Sequence, residues 1–214
     1  MGIQDLERVA LESYNGNFEA ITRPDSISLS AYENFLGISV HERISDFRTG
    51  FQYPILIGDV GCNVGVALAK LQELEYVEAF GIDIQPIYSE ATPFRRERRI
   101  VANLENMPGI PDNTFDYLIS YRTLHHTRVN LSLPEIHRIL RHGGVADLSL
   151  RNWFLYQDAI KSAGLGNNLI LYSLVSELHG VLGEFVSQLK EKYGNIWDLE
   201  PEVHETRFEL KKPI

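Results

Sequence analysis

The stretch Ile55-Leu56-Ile57-Gly58-Asp59-Val60-Gly61-Cys62-Asn63-Val64-Gly65 limits what this chain can fold into more than any other. An apolar run closes on an acid, turns at a glycine and enters a segment where Val64, Ala67, Leu68, Leu71 and Leu74 recur at spacings of three and four. That spacing marks one buried helical face. The run before it is too short for a helix and shows no polar alternation, so it reads as a strand buried on both sides. Strand, glycine turn and helix in this order open a doubly wound α/β sheet. Ligands of such sheets sit where strand carboxyl ends and helix N-termini meet.

The turn narrows the ligand. A dinucleotide fingerprint needs G-x-G-x-x-G, but counted from Gly61 the later glycine positions hold Asn63 and Val66. A phosphate loop needs Lys and then Ser or Thr after its last glycine, and Gly65 is followed by Val66 and Ala67. An acid, a tight turn and Gly65 remain, which suits a nucleoside-like ligand without a polyphosphate. One strand–helix–strand unit later, Tyr76 to Asp83 reads as a second strand ending in an acid. An acid there is placed to accept both hydroxyls of a ribose. The structural alternative for Asp83 is a turn or cap before Pro86.

The rest of the sheet follows. A strand is expected near Arg99 to Asn103, and another, buried, from Phe115 to Ser120, emptying into Tyr121-Arg122-Thr123-Leu124-His125-His126. The arginine-rich Phe94-Arg95-Arg96-Glu97-Arg98-Arg99 reads as a solvated loop and edge. Ser132-Leu133-Pro134-Glu135 has capping-box spacing and His142-Gly143-Gly144 ends the helix, with a fifth strand over Val145 to Leu150. A helix over Gln157 to Gly164, a strand from Asn168 to Val175 and strand character over Glu205 to Lys212 complete the set. Val181, Leu182, Phe185, Val186 and Leu189 form a helical stripe inside an insertion spanning about 179–193.

Ahead of the sheet, residues 1–50 read as helices broken around Asn15-Gly16-Asn17 and Arg23-Pro24-Asp25. They form a helical cap, or a lid bringing Tyr14, Phe18 or Tyr32 to the ligand; residues 51–214 form the sheet domain. Trp153, Phe154, Tyr156 and Trp197 read as core, with an acceptor pocket as the alternative. The net charge of −9 disfavours a nucleic acid partner. The single cysteine, Cys62, makes no internal disulfide and fits a reducing compartment. With no signal segment and no long apolar span, a soluble cytoplasmic protein is expected, without a membrane partner. Adjacent His125 and His126 seldom converge on one ion, so no metal site is expected. The sequence leaves the oligomeric state open.

Four elements in order then resemble the class I S-adenosylmethionine-dependent methyltransferases: Asp59 to Gly65, Gly81-Ile82-Asp83, Asn103-Leu104-Glu105-Asn106-Met107-Pro108 with Phe115-Asp116, and Glu135 to Gly144. The resemblance covers about residues 55–150. It implies a Rossmann-like, seven-stranded, mostly parallel sheet whose last strand is antiparallel. It also implies S-adenosyl-L-methionine as cofactor, S-adenosyl-L-homocysteine as product and a small-molecule methyl acceptor. In its terms Asp59, Gly61, Cys62, Asn63 and Gly65 hold the methionine portion, Asp83 the ribose, Ile84 with Asn103 and Leu104 the adenine, and Ser120 and Tyr121 border the sulfonium. His125 or His126 would serve as base or acceptor contact, with loop packing as the alternative reading. Two departures stand out: Asn63 replaces a glycine and Asn103 an aspartate. They raise a second reading, a binding or regulatory protein that keeps the fold without turnover.

Overall fold

The computed structural model describes residues 4–6, 8, 28–48, 54–85, 94–151, 156–165, 168–172 and 205–214. The unbroken apolar runs become the central strands. β1 (Ile55–Val60) and β4 (Phe115–Ser120) are buried at every position, as strands covered on both faces require. β2 (Val77–Asp83) and β3 (Arg99–Val101) continue the sheet on one side. On the other lie β5 (Leu140–Arg151), β6 (Leu169–Tyr172) and β7 (Glu205–Lys211). The strand order is β3-β2-β1-β4-β5-β7-β6. All pairings from β3 through β5 are parallel, and β7 runs antiparallel between β5 and β6. This is the mostly parallel, doubly wound sheet with one reversed strand expected from the sequence.

Alternation along the strands divides the core between two faces. Ile55, Ile57, Ala79 and Ile119 face α1 (Leu29–Leu36), α2 (Val40–Arg48) and α3 (Val66–Leu71). Leu56, Phe80, Ile82 and Leu118 face the opposite way, with Leu133, Ile136 and Ile139 of α4 (Val129–Ile139). Partly buried residues of α5 (Gln157–Ser162) pack against that second cluster. Helix α1 is capped at both ends: the Ser28 hydroxyl accepts from the Ala31 N–H at 3.3 Å, and left-handed Gly37 closes it. The buried Asp116 explains why an acid follows Phe115. It accepts the Leu56 N–H at 2.8 Å and pairs with Arg141 at 2.9 Å, tying β1 to the start of β5.

Three expectations are corrected. Helix α4 begins at Val129 rather than at a capping box on Ser132; the Ser132 hydroxyl meets Thr127 Oγ1 at 2.9 Å, and Pro134 lies inside the helix. That helix ends at Ile139, so His142-Gly143-Gly144 is not its terminator. Phe115 pairs with Leu140 and Tyr117 with Val145, so Arg141 to Gly144 bulge within β5. A Cβ on Gly144 would come within 2.8 Å of the Arg141 carbonyl, which the bulge geometry forbids. Third, Arg98 and Arg99 are not solvated: they are 7% and 3% exposed. Arg98 pairs with Glu78 and lies 4.8 Å above the Phe80 ring. The expected breaks at 15–17 and 23–25, Tyr14, Phe18, Pro86, Trp153, Phe154, Trp197 and the 179–193 helix lie outside the described residues.

Candidate active site

The carboxyl ends of β1, β2 and β4 open into a cavity of about 560 Å³. Its first wall is the turn after β1, where Gly61 (φ +82°), Asn63 (φ +49°) and Gly65 (φ +79°) all take left-handed backbone. Glycine is required twice. A Cβ at Gly61 would fall 1.9 Å from Thr123 Oγ1, and one at Gly65 would fall 2.8 Å from the Phe94 ring. Asn63 meets the same dihedral demand as the residue type that tolerates it best after glycine.

Two neighbours hold this turn from opposite sides of its peptides. The Asn63 N–H donates to Asp83 Oδ2 at 3.1 Å. The Arg99 guanidinium donates to the Asn63 carbonyl at 3.0 Å and also to the Val64 carbonyl. Arg99 also stacks 5.0 Å from the Phe94 ring. Nothing in the sequence separated Arg99 from the other arginines of its run; only the register that sets it beside Gly81 brings it to the turn.

Asp83 stands at the tip of β2. Its Oδ1 accepts the Gln85 N–H at 3.0 Å and its Oδ2 the Asn63 N–H, which leaves a second lone pair on each oxygen for a hydroxyl donor. Beside it Ile84 is 61% exposed, a large apolar side chain left bare in the cavity wall. Asn103 and Leu104 line the same end. The Asn103 side-chain carbonyl is engaged with the Glu105 N–H at 3.0 Å, an Asx turn that shapes its own loop. Helix α4 fastens that loop: Glu135 accepts the Met107 N–H at 2.7 Å, and Arg138 donates to the Met107 and Ile110 carbonyls at 2.8 Å. The same Arg138 holds the Glu135 carboxyl below its ordinary pKa.

The other end of the cavity is made by side chains. Tyr32 of α1 and Tyr121 pack with ring centroids 5.6 Å apart, and Arg122, Thr123, His126 and Thr127 continue the wall. Tyr32, one of the aromatics that a lid would bring to the ligand, lines the cavity; Arg122 and Thr123 carry no sequence signal. Cys62 lines the cavity as well, with its thiol against the position where Gly81 lacks a side chain. Burial pushes that thiol well above its ordinary pKa, which suits a filler rather than a nucleophile.

Four of the residues assigned from sequence stand outside the lining. Asp59 is fully buried and accepts from the Tyr32 hydroxyl at 3.1 and 3.2 Å; burial pushes its carboxyl up to about 7, against the pull of that bond. The Ser120 hydroxyl donates to the Val60 carbonyl at 2.8 Å and links β4 to β1. Gly65 supports the turn from behind. His125 stacks on His126 at 3.9 Å and its carbonyl accepts from Tyr156, while His126 itself reaches the cavity. Among the described residues no group of three or more His, Cys, Asp or Glu side chains could hold a metal ion, and no helix is long and apolar enough to cross a membrane.

The cavity fits a nucleoside. Paired carboxylate lone pairs, a bare apolar side chain and backbone stripped of Cβ atoms lie together. So does the Asn63 Oδ1, a buried acceptor without a hydrogen-bond partner.

Comparison with known proteins points the same way. Residues 58–146 match the model of a family described as methyltransferase domain. No curated protein matches the chain in sequence. Among solved structures, a putative sarcosine dimethylglycine methyltransferase from Galdieria sulphuraria is 15% identical, with 98% of each chain covered and a TM-score of 0.52. A TehB-like SAM-dependent methyltransferase from Corynebacterium glutamicum is 18% identical over 84% of this chain and 92% of its own, TM-score 0.51. Phosphoethanolamine N-methyltransferase 2 from Haemonchus contortus, solved with S-adenosyl-L-methionine, is 14% identical over 87% of this chain, TM-score 0.51; the match spans only 57% of that longer protein. At such identities the structural likeness is one of fold. Residues 58–146 are thus similar to a methyltransferase domain, and the fold is one shared with SAM-dependent methyltransferases.

Proposed function

We propose that this protein transfers a methyl group from S-adenosyl-L-methionine to a small-molecule acceptor, releasing S-adenosyl-L-homocysteine. One observation carries the reading: Asp83 holds the Asn63 N–H of the glycine turn and still has acceptor capacity facing the cavity, beside exposed Ile84. Asp83 would take the ribose hydroxyls, Ile84 and Leu104 the adenine faces, and the turn from Gly61 to Asn63 the methionine portion. Bound there, the cofactor supplies a methyl group already activated by a positive sulfur. An acceptor's lone pair would take that methyl as the carbon–sulfur bond gave way, leaving S-adenosyl-L-homocysteine, and an acceptor proton, where present, would pass to a base or to water.

The chain's own work is alignment and exclusion of water. Tyr32 and Tyr121 would wall the acceptor end, and His126, which lines the cavity where His125 does not, would be the imidazole to touch an acceptor. The buried free thiol of Cys62 supports a reducing compartment, for which the cytoplasm is the proposed location.

Calorimetric titration with S-adenosylmethionine, S-adenosylhomocysteine and NAD tests the reading. Binding of both adenosyl ligands and not NAD is expected. Ligand at about 100 times its Kd should stabilise the fold by about 2.7 kcal/mol. Silence toward both adenosyl ligands overturns it. Binding without transfer to any of a broad acceptor panel would favour a protein that keeps the fold and not the turnover, the reading that Asn63 and Asn103 raise.

A further inference from the structure

Asn63 gives the turn after β1 a side chain that its backbone does not ask for. At φ +49° it lies between Gly61 and Gly65, which take the same left-handed region. Glycine would adopt these dihedrals freely; asparagine is tolerated there rather than required. The main chain of Asn63 is already committed within the protein. Its N–H donates to Asp83 Oδ2 at 3.1 Å, and its carbonyl accepts from the Arg99 guanidinium at 3.0 Å. What Asn63 can offer the cavity that it lines is therefore its carboxamide.

That carboxamide is incomplete. Its Oδ1 is buried and accepts a hydrogen bond from none of the described residues. Buried polar atoms of native proteins nearly always have a partner, and an orphan among them calls for a reason. An amide oxygen has lone pairs and no proton, so the missing partner is a donor. With no bond holding the oxygen where it lies, the amide has nothing to give up on moving. The terminal torsion of asparagine is soft, and the group can turn toward a donor in the cavity at little cost.

The identity of the donor follows from the methionine portion assigned to this turn. That portion has two ionic groups, an ammonium that only donates and a carboxylate that only accepts. Charge does not choose between them here, because the Asp83 carboxylate holds one side of the turn and the Arg99 guanidinium the other. Hydrogen-bond sense does choose, since an orphan acceptor takes the ammonium. We infer that the Asn63 carboxamide oxygen receives the α-ammonium of the methionine portion, and that this side chain makes the protein select cofactors carrying that group. The inference rests on the methyl-transfer reading above. It makes the departure from glycine at this position an element of recognition.

Calorimetric Kd values for three ligands test it. They are S-adenosylhomocysteine, its deaminated analogue with hydrogen in place of the α-amino group, and its decarboxylated analogue with hydrogen in place of the carboxylate. The wild type should bind S-adenosylhomocysteine at least tenfold more tightly than the deaminated analogue. Asn63→Gly keeps the left-handed turn and removes the oxygen. It should weaken S-adenosylhomocysteine and the decarboxylated analogue about tenfold, about 1.4 kcal/mol, and leave the deaminated analogue within twofold. Asn63→Asp keeps an acceptor oxygen and a residue tolerant of the backbone, and should retain the wild-type preference for the amino group.

An equal loss for all three ligands in Asn63→Gly overturns the inference, because a merely loosened turn acts that way. A loss that spares the decarboxylated analogue also overturns it, by placing the amide nitrogen on the carboxylate. So does an unchanged S-adenosylhomocysteine affinity in Asn63→Gly, or a lost amino-group preference in Asn63→Asp. Each of these outcomes leaves the methyl-transfer reading standing, whereas a wild type that binds neither adenosyl ligand removes both.

Discussion

The two ends of the crevice are built from different materials. At the Asp83 end, the Asn63 amide aside, the polar groups that would meet a ligand are main chain, or side chains locked to main chain: the turn from Gly61 to Asn63, Asp83 on the Asn63 and Gln85 N–H groups, and Asn103 on Glu105, with Ile84 and Leu104 as the apolar additions. At the other end they are side chains from distant elements, Tyr32 of α1 and Tyr121, Arg122 and His126 after β4. A site made from backbone at strand tips tolerates little change, because every atom of it also holds the sheet together. A site made from side chains on a cap and a loop can be altered residue by residue. The first end therefore suits a cofactor shared across a family, and the second an acceptor peculiar to one protein.

Substitutions should divide along the same line. The largest effect is expected from Gly61→Ala. A Cβ 1.9 Å from Thr123 Oγ1 at φ +82° must displace the turn, and S-adenosylhomocysteine affinity should fall more than a hundredfold by calorimetry. Next is Asp83→Ala, which removes two charge-assisted acceptors and should weaken the adenosyl ligands at least tenfold; unchanged affinity would detach Asp83 from the ribose. Arg99→Met should weaken the same ligands about fivefold to tenfold, because hydrogen bonds from a charged group are worth about 1.5–3 kcal/mol and this loss reaches the ligand only through the turn. Arg99→Lys should recover part of that affinity.

A smaller effect concerns pH. Burial holds the Asp59 carboxyl up at about 7, against an ordinary value of 3.8. The folded chain therefore binds this proton more tightly than the unfolded one. Its contribution to stability is complete below about pH 4, declines between about pH 4 and 7, and is gone above that. The melting-temperature difference between wild type and Asp59→Asn should follow this window. In Tyr32→Phe the decline should extend to higher pH, since the lost hydrogen bond favoured the charged form. Smallest of all, Glu105→Gln weakens a pair whose Arg128 partner is 71% exposed and should leave the melting temperature within about a degree.

The sequence disclosed the first end far better than the second, for physical reasons. Strand β4 was legible to the residue, and β1 in kind and position, because unbroken apolar runs between turn signals have one reading in a parallel sheet. Asp83 was legible because glycine turn and acid occur one strand–helix–strand unit apart. Ser132-Leu133-Pro134-Glu135 misled because its spacing imitates a cap, whereas the true start at Val129 follows Arg128, which makes no side-chain cap bond. Arg98 and Arg99 misled because a run of charges is ordinarily solvated; their burial depends on β3 pairing with β2 across a long sequence gap. Tyr32 could be named as a possible contact, yet its bond to Asp59 joins residues 27 positions apart. Nothing local encodes the left-handed Arg122, which is set by Ser149 of the adjacent strand.

The face of the sheet under α2 holds a cluster in which Asp147 accepts from Arg43, Tyr117 and Arg207, while Glu209 takes Arg43 and Lys211. Arg43 belongs to α2, and Arg207 and Glu209 to β7, so helix and strand are bound through charges separated by as many as 166 positions. Removing one member leaves the others charged in a dry place, a far heavier cost than the loss of any single contact. Damage to the last strand would thus be felt at the opposite end of the chain. With α2 unmoored, the adjoining α1 would lose its seat and carry Tyr32 away from the crevice, so a lesion remote from the ligand could register as a failure to recognise it.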